Sequence, residues 1–497
     1  MPSIRKSIGK GIFYTALAKY SNIVTSILIT AVLARLLTPA EYGTIAIVMV
    51  FTTFFTYLAD FGIGPAIIQN KELGKEDIES IFSVSILVAL LLSSLFFLSA
   101  DLIAGFYAAP ELTGITRLLS VSVLIFTLNV VPSALNKKEL KFRQVGLLSV
   151  VVHVIGGILA VVLALLEFSY YALIFRSLIT GLLMFAGSYY LNPVKVNFRI
   201  RGSSILKIWR FSTFQFLFNF INYFARNTDN LLIGKFLGSA MLGFYDKAFN
   251  LMLMPVQNLT HVITPVLHPV LSEFQHNKDR IHHSYLKLTR ILATIGFPLS
   301  VFCFFAAREI IYLFYGSQWT ESIPVFRLLA LLIGLEVLLS SSGSIYQSAN
   351  RADLLLVSGL ITSTFIVLGI LYGIFIEGSL AGVAKGLIVA RTSTFFLSVY
   401  LLVRKALGFP LRRFLSTLVM PLFISAVVLV ANLLFSQIAI DNLYLEFALK
   451  FMVSFGAFLV AFSCSKNNRL LIVQSFHGLR NKIKGYPKLA ALYSKIF

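Results

Sequence analysis

The chain has 497 residues, of which 58% are hydrophobic and only 13% are charged, and its mean hydropathy is +0.86. Soluble globular proteins carry about 25% charged residues, so this composition excludes a soluble domain as the main body and indicates an integral membrane protein. In a soluble protein the formal net charge of +21 would suggest nucleic acid as a partner. Membrane proteins collect Lys and Arg in their cytoplasmic loops instead, so we expect no nucleic-acid partner.

Long apolar runs follow one another along the whole chain. A membrane-spanning helix needs about 20 mostly apolar residues, and the chain holds about fourteen runs of that kind. In chain order, the predicted helices cover residues 11–37, 43–68, 79–100, 115–135, 145–166, 169–190, 205–236, 241–270, 291–314, 323–346, 352–376, 380–403, 414–436 and 443–463. The remaining segments are short loops and a tail, 465–497, and none is long enough for a soluble catalytic domain.

The basic residues between these runs predict how the helices are oriented. If the N-terminus is cytoplasmic and the helices alternate, roughly thirty of the 42 Lys and Arg residues fall on the cytoplasmic side, as the positive-inside rule expects. Both termini are then cytoplasmic. The basic tail is predicted either to lie on the anionic inner leaflet as an amphipathic helix or to be disordered.

An internal repeat indicates how the helices are grouped. The stretches "ARLLTPAEYG" and "GKFLGSAMLG" align without a gap at an offset of 200 residues, so that Arg35 matches Lys235 and Gly43 matches Gly243. A second pair, "ALNKKEL" and "SANRADL", aligns at an offset of 214 residues. Because about six helices precede each return to the start of the pattern, the two halves run in the same direction, as in transporters built from parallel repeats around a midplane site.

We therefore predict an all-α polytopic membrane protein with about 14 transmembrane helices. Two six-helix bundles related by pseudo-twofold symmetry are followed by two extra C-terminal helices. The predicted boundaries place the first bundle in residues 1–200, the second in 201–405, helices 13 and 14 in 406–464 and the basic cytoplasmic tail in 465–497.

Ionisable side chains inside a membrane are costly, so each one is a functional candidate by default. The cations that we expect to line a substrate cavity are Lys19, Arg226, Lys385 and Arg391. The acids that could carry a coupling ion are Asp60 and Asp229. Further ionisable residues in or near the predicted helices are Arg308, Glu309, Arg327, Glu336 and Lys450. All but Glu336 in this last group lie near helix ends, where snorkelling to the surface is the default interpretation.

The candidates in the first half also have structural interpretations. Lys19 and Asp60 lie at similar depth in helices 1 and 2, where they can form an ion pair between neighbouring helices. Arg226 and Asp229 are three residues apart, hence on one face of helix 7, and can satisfy each other. The surrounding "FNFINYFARNTDN" favours a cavity, because unmet amides facing lipid cost several kcal/mol.

Lys385 and Arg391 lie on predicted helix 12, which contains no acid. Two cations without a partner on their own helix are expected to face water or an anionic ligand. Arg391 can instead snorkel toward the inner surface.

Helix 2 ends in "ADFGIGPAIIQ", where Gly62, Gly64 and Pro65 weaken an α-helix within the membrane.

Enzyme signatures are absent from the sequence, since no P-loop, HExxH, GxSxG or CxxC motif occurs. We therefore expect a protein that is not an enzyme and that needs no metal or other cofactor, although it can couple to a proton or sodium gradient.

Three stretches carry a family resemblance: "LARLLTPAEYGTIAIV", "LADFGIGPAIIQ" and "NTDNLLIGKFLGSAMLGFYDKAFNLMLMP". They resemble the Wzx-type polysaccharide flippases, in particular the branch that includes colanic-acid exporters, within the multidrug/oligosaccharidyl-lipid/polysaccharide exporter superfamily. The likeness covers nearly the whole chain. Its motifs are structural corners, so they identify the family well and the substrate poorly.

The resemblance implies a flippase that moves undecaprenyl-diphosphate-linked oligosaccharides across the bacterial cytoplasmic (inner) membrane by alternating access, for surface polysaccharide such as lipopolysaccharide or exopolysaccharide. The implied partners are the lipid-linked oligosaccharide, membrane lipids and the polysaccharide polymerase machinery. The family's cavity is typically cationic, which agrees with the four candidate cations. No established binding residue of the family maps onto any of them.

Two other functions compete with this one. A multidrug or cation antiporter of the same superfamily would favour a cavity rich in acids, whereas the intramembrane charge of this chain leans basic. A membrane glycosyltransferase or polymerase usually needs a large outer loop with catalytic acids, whereas the predicted outer loops here are short. A flippase for a lipid-linked peptidoglycan precursor stays possible within the superfamily.

Overall fold

The computed structural model describes residues 2–60, 62–70, 72–197, 223, 227–260, 271, 277–438 and 440–464. Its first eight helices are α1 (Pro2–Leu36), α2 (Pro39–Asp60), α3 (Ile63–Gln69), α4 (Lys75–Leu98), α5 (Ala100–Tyr107), α6 (Glu111–Lys138), α7 (Phe142–Leu165) and α8 (Tyr171–Leu191). Residues 227–236 form a further helical segment. Then come α9 (Ser239–Thr260), α10 (Lys278–Phe305), α11 (Ala307–Phe314), α12 (Ser322–Ala330), α13 (Ile333–Leu339), α14 (Ser342–Ser348), α15 (Ala352–Phe375), α16 (Leu380–Val399), α17 (Leu411–Phe435) and α18 (Leu443–Ser463).

The predicted all-α, multi-pass architecture is confirmed. Within the described ranges, 11 helices are long and apolar enough to cross a membrane, or up to 12 if one bent helix pair counts as a single span. The count of about fourteen is not reached. Most of the predicted helix 205–236 and the second part of 241–270 lie outside the described residues, and so do Arg226 and the tail 465–497.

The outer surface of these helices is rich in large apolar side chains, whereas the surface residues of a soluble protein are mostly polar. Leu98, Leu102 and Val460 are 71%, 76% and 66% exposed, and many other large apolar side chains lie outward along the same helices. A soluble monomer rarely exposes contiguous apolar patches larger than a few hundred Å². Outward apolar side chains of this number therefore need lipid around them.

The described helices fall into two compact units. The first comprises Met1–Ala248, Ile311–Ser322 and Val367–Val383, and the second comprises Phe249–Ile310, Ile323–Ile366 and Ala384–Phe497. In the first unit α1 packs on α7, and α6 packs on α4 and α8. In the second unit α10 packs on α13 and α17, and α17 packs on α18. The predicted division at residues 200 and 405 stays a prediction.

The residues predicted to weaken helix 2 lie where the structure has a break. Helix α2 ends at Asp60, Gly62 adopts a positive φ of 71°, and α3 begins at Ile63. A positive φ is easy for glycine and strained for most other residues. The glycine in "DFGIGP" therefore permits the turn that separates α2 from α3.

Local structure in the two halves supports the internal repeat. The short helices α5 and α11 both have eight residues, and each follows a long helix after one intervening residue. Near α5, the guanidinium of Arg117 lies 5.4 Å from the ring centre of Phe97. Near α11, the guanidinium of Arg327 lies 5.8 Å from the ring centre of Phe304. When α5 and α11 are aligned end to end, the two phenylalanines correspond.

Candidate functional site

A broken helix in the second unit carries the main candidate site. Segments Ser322–Ala330 and Ile333–Ser348 form a pair bent by 49°. Just after the bend, the backbone N–H of Gly334 donates to the hydroxyl of Ser300 on α10, at 2.8 Å. A break in an intramembrane helix is tolerated when a neighbouring side chain satisfies a freed backbone group in this way.

This break places an acid beside one of the predicted cavity cations. Glu336 lies one turn past the bend on α13, and its Oε1 is 2.9 Å from Nε of Arg391 on α16. The side chains are 17% and 26% exposed, respectively. Helix α16 itself holds no acid, and the acidic partner of Arg391 comes from another helix.

The contact with Glu336 uses one edge of the Arg391 guanidinium. A guanidinium has five N–H donors in a planar fork that matches phosphate and carboxylate, and the Glu336 carboxylate engages its Nε edge. The Arg391 side chain is still about a quarter exposed.

Lys385 lies on the same helix α16, six residues before Arg391, and its side chain is exposed. Six residues correspond to roughly 120° around an α-helix, so the two cations point in different directions. Whether Lys385 binds substrate stays a prediction.

In the first unit, Asp60 caps the helix that follows the break. Its Oδ1 accepts the backbone N–H of Gly64 at 3.2 Å. Lys19, on α1, is half-buried, and the predicted ion pair between Lys19 and Asp60 is not formed among the described residues. The observed role of Asp60 is to satisfy an amide at the start of α3, as capping carboxylates do at helix N-termini.

We expect Asp60→Ala to lower the free energy of unfolding by about 1 kcal/mol, because it removes this cap, and Asp60→Asn to leave it nearly unchanged. Denaturant unfolding of the purified protein in detergent measures both values. The Asn variant then tests the predicted ion-coupling role without a folding defect. If the Asp60→Asn variant is stable but loses gradient-driven transport, Asp60 takes part in ion coupling. If its transport is normal, the role of Asp60 is limited to capping α3.

Asp229 is buried, at 8% exposure, on the helical segment 227–236. Its Oδ2 accepts the hydroxyl of Tyr245 at 2.8 Å, and its Oδ1 accepts the backbone N–H of Asn230 at 2.9 Å. The predicted pairing with Arg226 falls outside the described residues. The carboxylate thus has neutral donors on both oxygens, which is how buried polar groups are normally accommodated.

A buried ionic cluster joins α18 to the break between α10 and α11. Nζ of Lys450 lies 3.0 Å from Oε1 of Glu309 and 2.8 Å from Oε1 of Glu446, and it donates to the carbonyl of Phe305 at 3.2 Å. Glu309 is fully buried. The expectation that Lys450 and Glu309 snorkel to the surface is therefore wrong, and they anchor the C-terminal helices instead.

One buried cation was missed at the level of sequence. Lys247 on α9 is 7% exposed, and its Nζ lies 3.6 Å from the ring centre of Tyr42 and 5.9 Å from that of Tyr315. The same Nζ lies 3.8 Å from Oδ2 of Asp246, the preceding residue. A lysine over aromatic faces gains cation–π stabilisation. Because the two rings are distant from Lys247 in the sequence, no local sequence pattern predicts this contact.

Comparison with known proteins decides the family. A sequence profile described as "Polysaccharide biosynthesis protein" matches residues 32–324, which is more than half of the chain. The chain belongs to this polysaccharide biosynthesis protein family. The match includes both copies of the repeated corner and the break between α2 and α3.

Relatives and solved structures agree with this assignment. A membrane protein encoded in the cps region of Klebsiella pneumoniae is 25% identical over 94% of this chain and 97% of its own length. The lipopolysaccharide biosynthesis protein WzxC of Escherichia coli (strain K12) is 24% identical over 84% of this chain and 86% of its own. The lipid II flippase MurJ, solved in an inward closed conformation, matches with a TM-score of 0.72 at 15% identity, covering 92% of this chain and 99% of that one. This polysaccharide biosynthesis protein therefore shares its fold with a known lipid flippase.

Proposed function

We propose that the protein is a flippase that moves lipid-linked oligosaccharides across the bacterial cytoplasmic membrane for surface polysaccharide synthesis. The observation that carries the proposal is the match of residues 32–324 to the polysaccharide biosynthesis family in a chain whose fold follows that of a lipid flippase. The substrate has a diphosphate and a sugar chain that cannot cross hydrocarbon. A set of packed helices with internal charged groups can hold both while the polyprenyl tail stays in lipid.

The proposed mechanism is alternating access without chemistry on the substrate, so the protein acts as a transporter and not as an enzyme. Arg391 attracts the diphosphate or an acidic sugar, and its Glu336 partner holds the guanidinium in place when no anion is bound. Lys19, Arg226 and Lys385 are proposed to add positive charge along the path. No metal or cofactor is needed for such a step.

Three further features belong to the proposal. Both termini lie in the cytoplasm, which follows from the distribution of Lys and Arg. Transport is coupled to a proton or sodium gradient through Asp60 or Asp229, or it runs down the gradient of substrate. The polysaccharide polymerase machinery receives the product on the other side.

Deletion of the gene tests the function directly. Cells without the protein should accumulate lipid-linked oligosaccharide on the cytoplasmic side and lose surface polysaccharide, and expression of the protein should restore both. Mass spectrometry of the accumulated lipid identifies the sugar. Normal surface polysaccharide together with altered drug efflux would favour the antiporter and contradict the proposal.

Coupling is tested in proteoliposomes that contain purified protein and the accumulated lipid. Translocation is measured with and without an imposed proton gradient, and separately with a sodium gradient. Faster translocation under one gradient identifies the ion, and equal rates under all conditions would contradict ion coupling.

A further inference from the structure

The two copies of the repeated corner touch each other in the first unit. A Cβ added to Gly43 would lie 1.6 Å from the carbonyl oxygen of Ser239, and a Cβ added to Gly243 would lie 2.0 Å from that of Pro39. Pro39 and Ser239 are the first residues of α2 and α9. They hold matching positions in the repeat, as the two glycines do. The contact is therefore reciprocal, like an interface around a twofold axis.

The basic residues of the two corners make a second reciprocal pair of contacts. Arg35 donates to the carbonyls of Leu313 at 2.7 Å and Phe314 at 3.3 Å, at the C-terminal end of α11. Lys235 donates to the carbonyl of Phe106 and lies 4.7 Å from the ring centre of the same residue, near the end of α5. Phe106 and Leu313 correspond when α5 and α11 are aligned end to end. Each corner thus caps the short helix of the other half, where the last carbonyls of a helix lack intrahelical partners.

Aromatic and amide groups fill the space beside these contacts. Nε1 of Trp319 donates to the carbonyl of Ala34 at 2.8 Å, and Nε2 of Gln318 donates to that of Leu37 at 3.0 Å. The Trp319 ring also packs edge-on against Tyr42, with ring centres 5.5 Å apart. The end of α1 therefore caps carbonyls of α11, and the chain after α11 caps carbonyls at the end of α1.

We propose that Arg35, Gly43, Lys235 and Gly243 form a releasable clasp that holds the two repeats together, on the face that the distribution of Lys and Arg predicts to be the outer one, and that it opens once in each transport cycle. This inference rests on the proposed function. Two features make this contact easy to break and re-form. The glycine surfaces meet through backbone atoms without interlocked side chains, and both cations make exposed hydrogen bonds that water can replace.

A reducible crosslink tests whether the clasp must open. The variant Arg35→Cys/Leu313→Cys is made with Cys464→Ser, since Cys464 is exposed and Cys303 is buried. A short bis-methanethiosulfonate reagent then joins the two repeats, because each cysteine thiol displaces methanesulfinate and forms a mixed disulfide that a reductant cleaves. We expect surface polysaccharide export to fall at least about tenfold on crosslinking and to recover on reduction, because a protein locked in one state cannot complete a cycle.

The matched control is Asp101→Cys/Arg117→Cys in the same background. These two residues form an exposed ion pair of 3.1 Å between α5 and α6, within a single repeat. Crosslinking them should leave export unchanged. Export by the Arg35/Leu313 variant that continues at full rate after complete crosslinking would overturn the clasp. Export by the uncrosslinked protein would show at the same time that the proposed function stands.

A steric variant tests the clasp without a crosslink. Gly43→Ala places a methyl group against a backbone carbonyl that cannot move aside, whereas the control Gly105→Ala on α5 meets nothing within 4 Å. The reporter is Ala34→Cys, a position with 0% exposure, labelled from outside by a membrane-impermeant maleimide. Labelling should be several-fold faster in Gly43→Ala than in Gly105→Ala. Arg35→Gln, which has no steric effect, should shift labelling in the same direction, and unchanged labelling in both variants would overturn the proposal.

Discussion

Replacing Lys450 with methionine is expected to lower the free energy of unfolding by about 3–5 kcal/mol, which is large for a single substitution. Methionine retains most of the apolar stem but removes the ammonium group between Glu309 and Glu446. Glu309 is fully buried, and its Oε2 has no hydrogen-bond partner among the described residues. Without the ammonium at 3.0 Å, its charge is left uncompensated in a medium that solvates charge poorly.

Denaturant unfolding in detergent, followed by circular dichroism, measures this loss. The double variant Lys450→Met/Glu309→Gln should recover much of the stability, because removing both charges avoids the unpaired buried carboxylate. Arg117→Met is the matched control, since it breaks the exposed ion pair with Asp101 and should cost about 0–1 kcal/mol. Equal losses for Lys450→Met and Arg117→Met would show that the Lys450 cluster is not an anchor.

The elements that the sequence predicts well are those with a local signal. A continuous apolar run is enough to place a membrane helix, and Gly62, Gly64 and Pro65 are enough to mark the end of helix 2 as weak, although not to place a break after Asp60. The repeated corner identifies equivalent positions in the two halves, and Gly43 and Gly243 do meet in the structure. That they meet was not predictable, because a repeat shows which positions correspond and not which positions touch.

The pairing of charged side chains could not be predicted for a related reason. On a soluble helix the apolar stripe marks the inner face, so polar residues can be assigned to the surface. On α16 and α18 most positions are apolar and face both lipid and protein, so no stripe tells which neighbour Arg391 or Lys450 faces. Glu336 and Glu309 are distant in the sequence and reach these cations only because α13 and α11 begin after helix breaks.

The second large effect is expected at the Arg391–Glu336 pair, where a structural role and a substrate-binding role make different predictions. We expect Arg391→Gln to reduce export about ten- to a hundredfold, the equivalent of losing one hydrogen bond to a charged group, worth about 1.5–3 kcal/mol. Quantification of surface polysaccharide at matched protein levels measures the loss. Arg391→Lys keeps the charge but not the planar fork, so it should recover export only in part.

The double variant Arg391→Gln/Glu336→Gln separates the two roles. A purely structural pair replaced by two neutral amides should regain both stability and export, since neither charge is left unpaired in the partly buried site. If Arg391 binds the diphosphate, the double variant regains stability while export stays low, which is the result that we expect. Recovery of export in the stable double variant would assign Arg391 to the support of the bend between α12 and α13 and would direct the search for the anion site to Lys385.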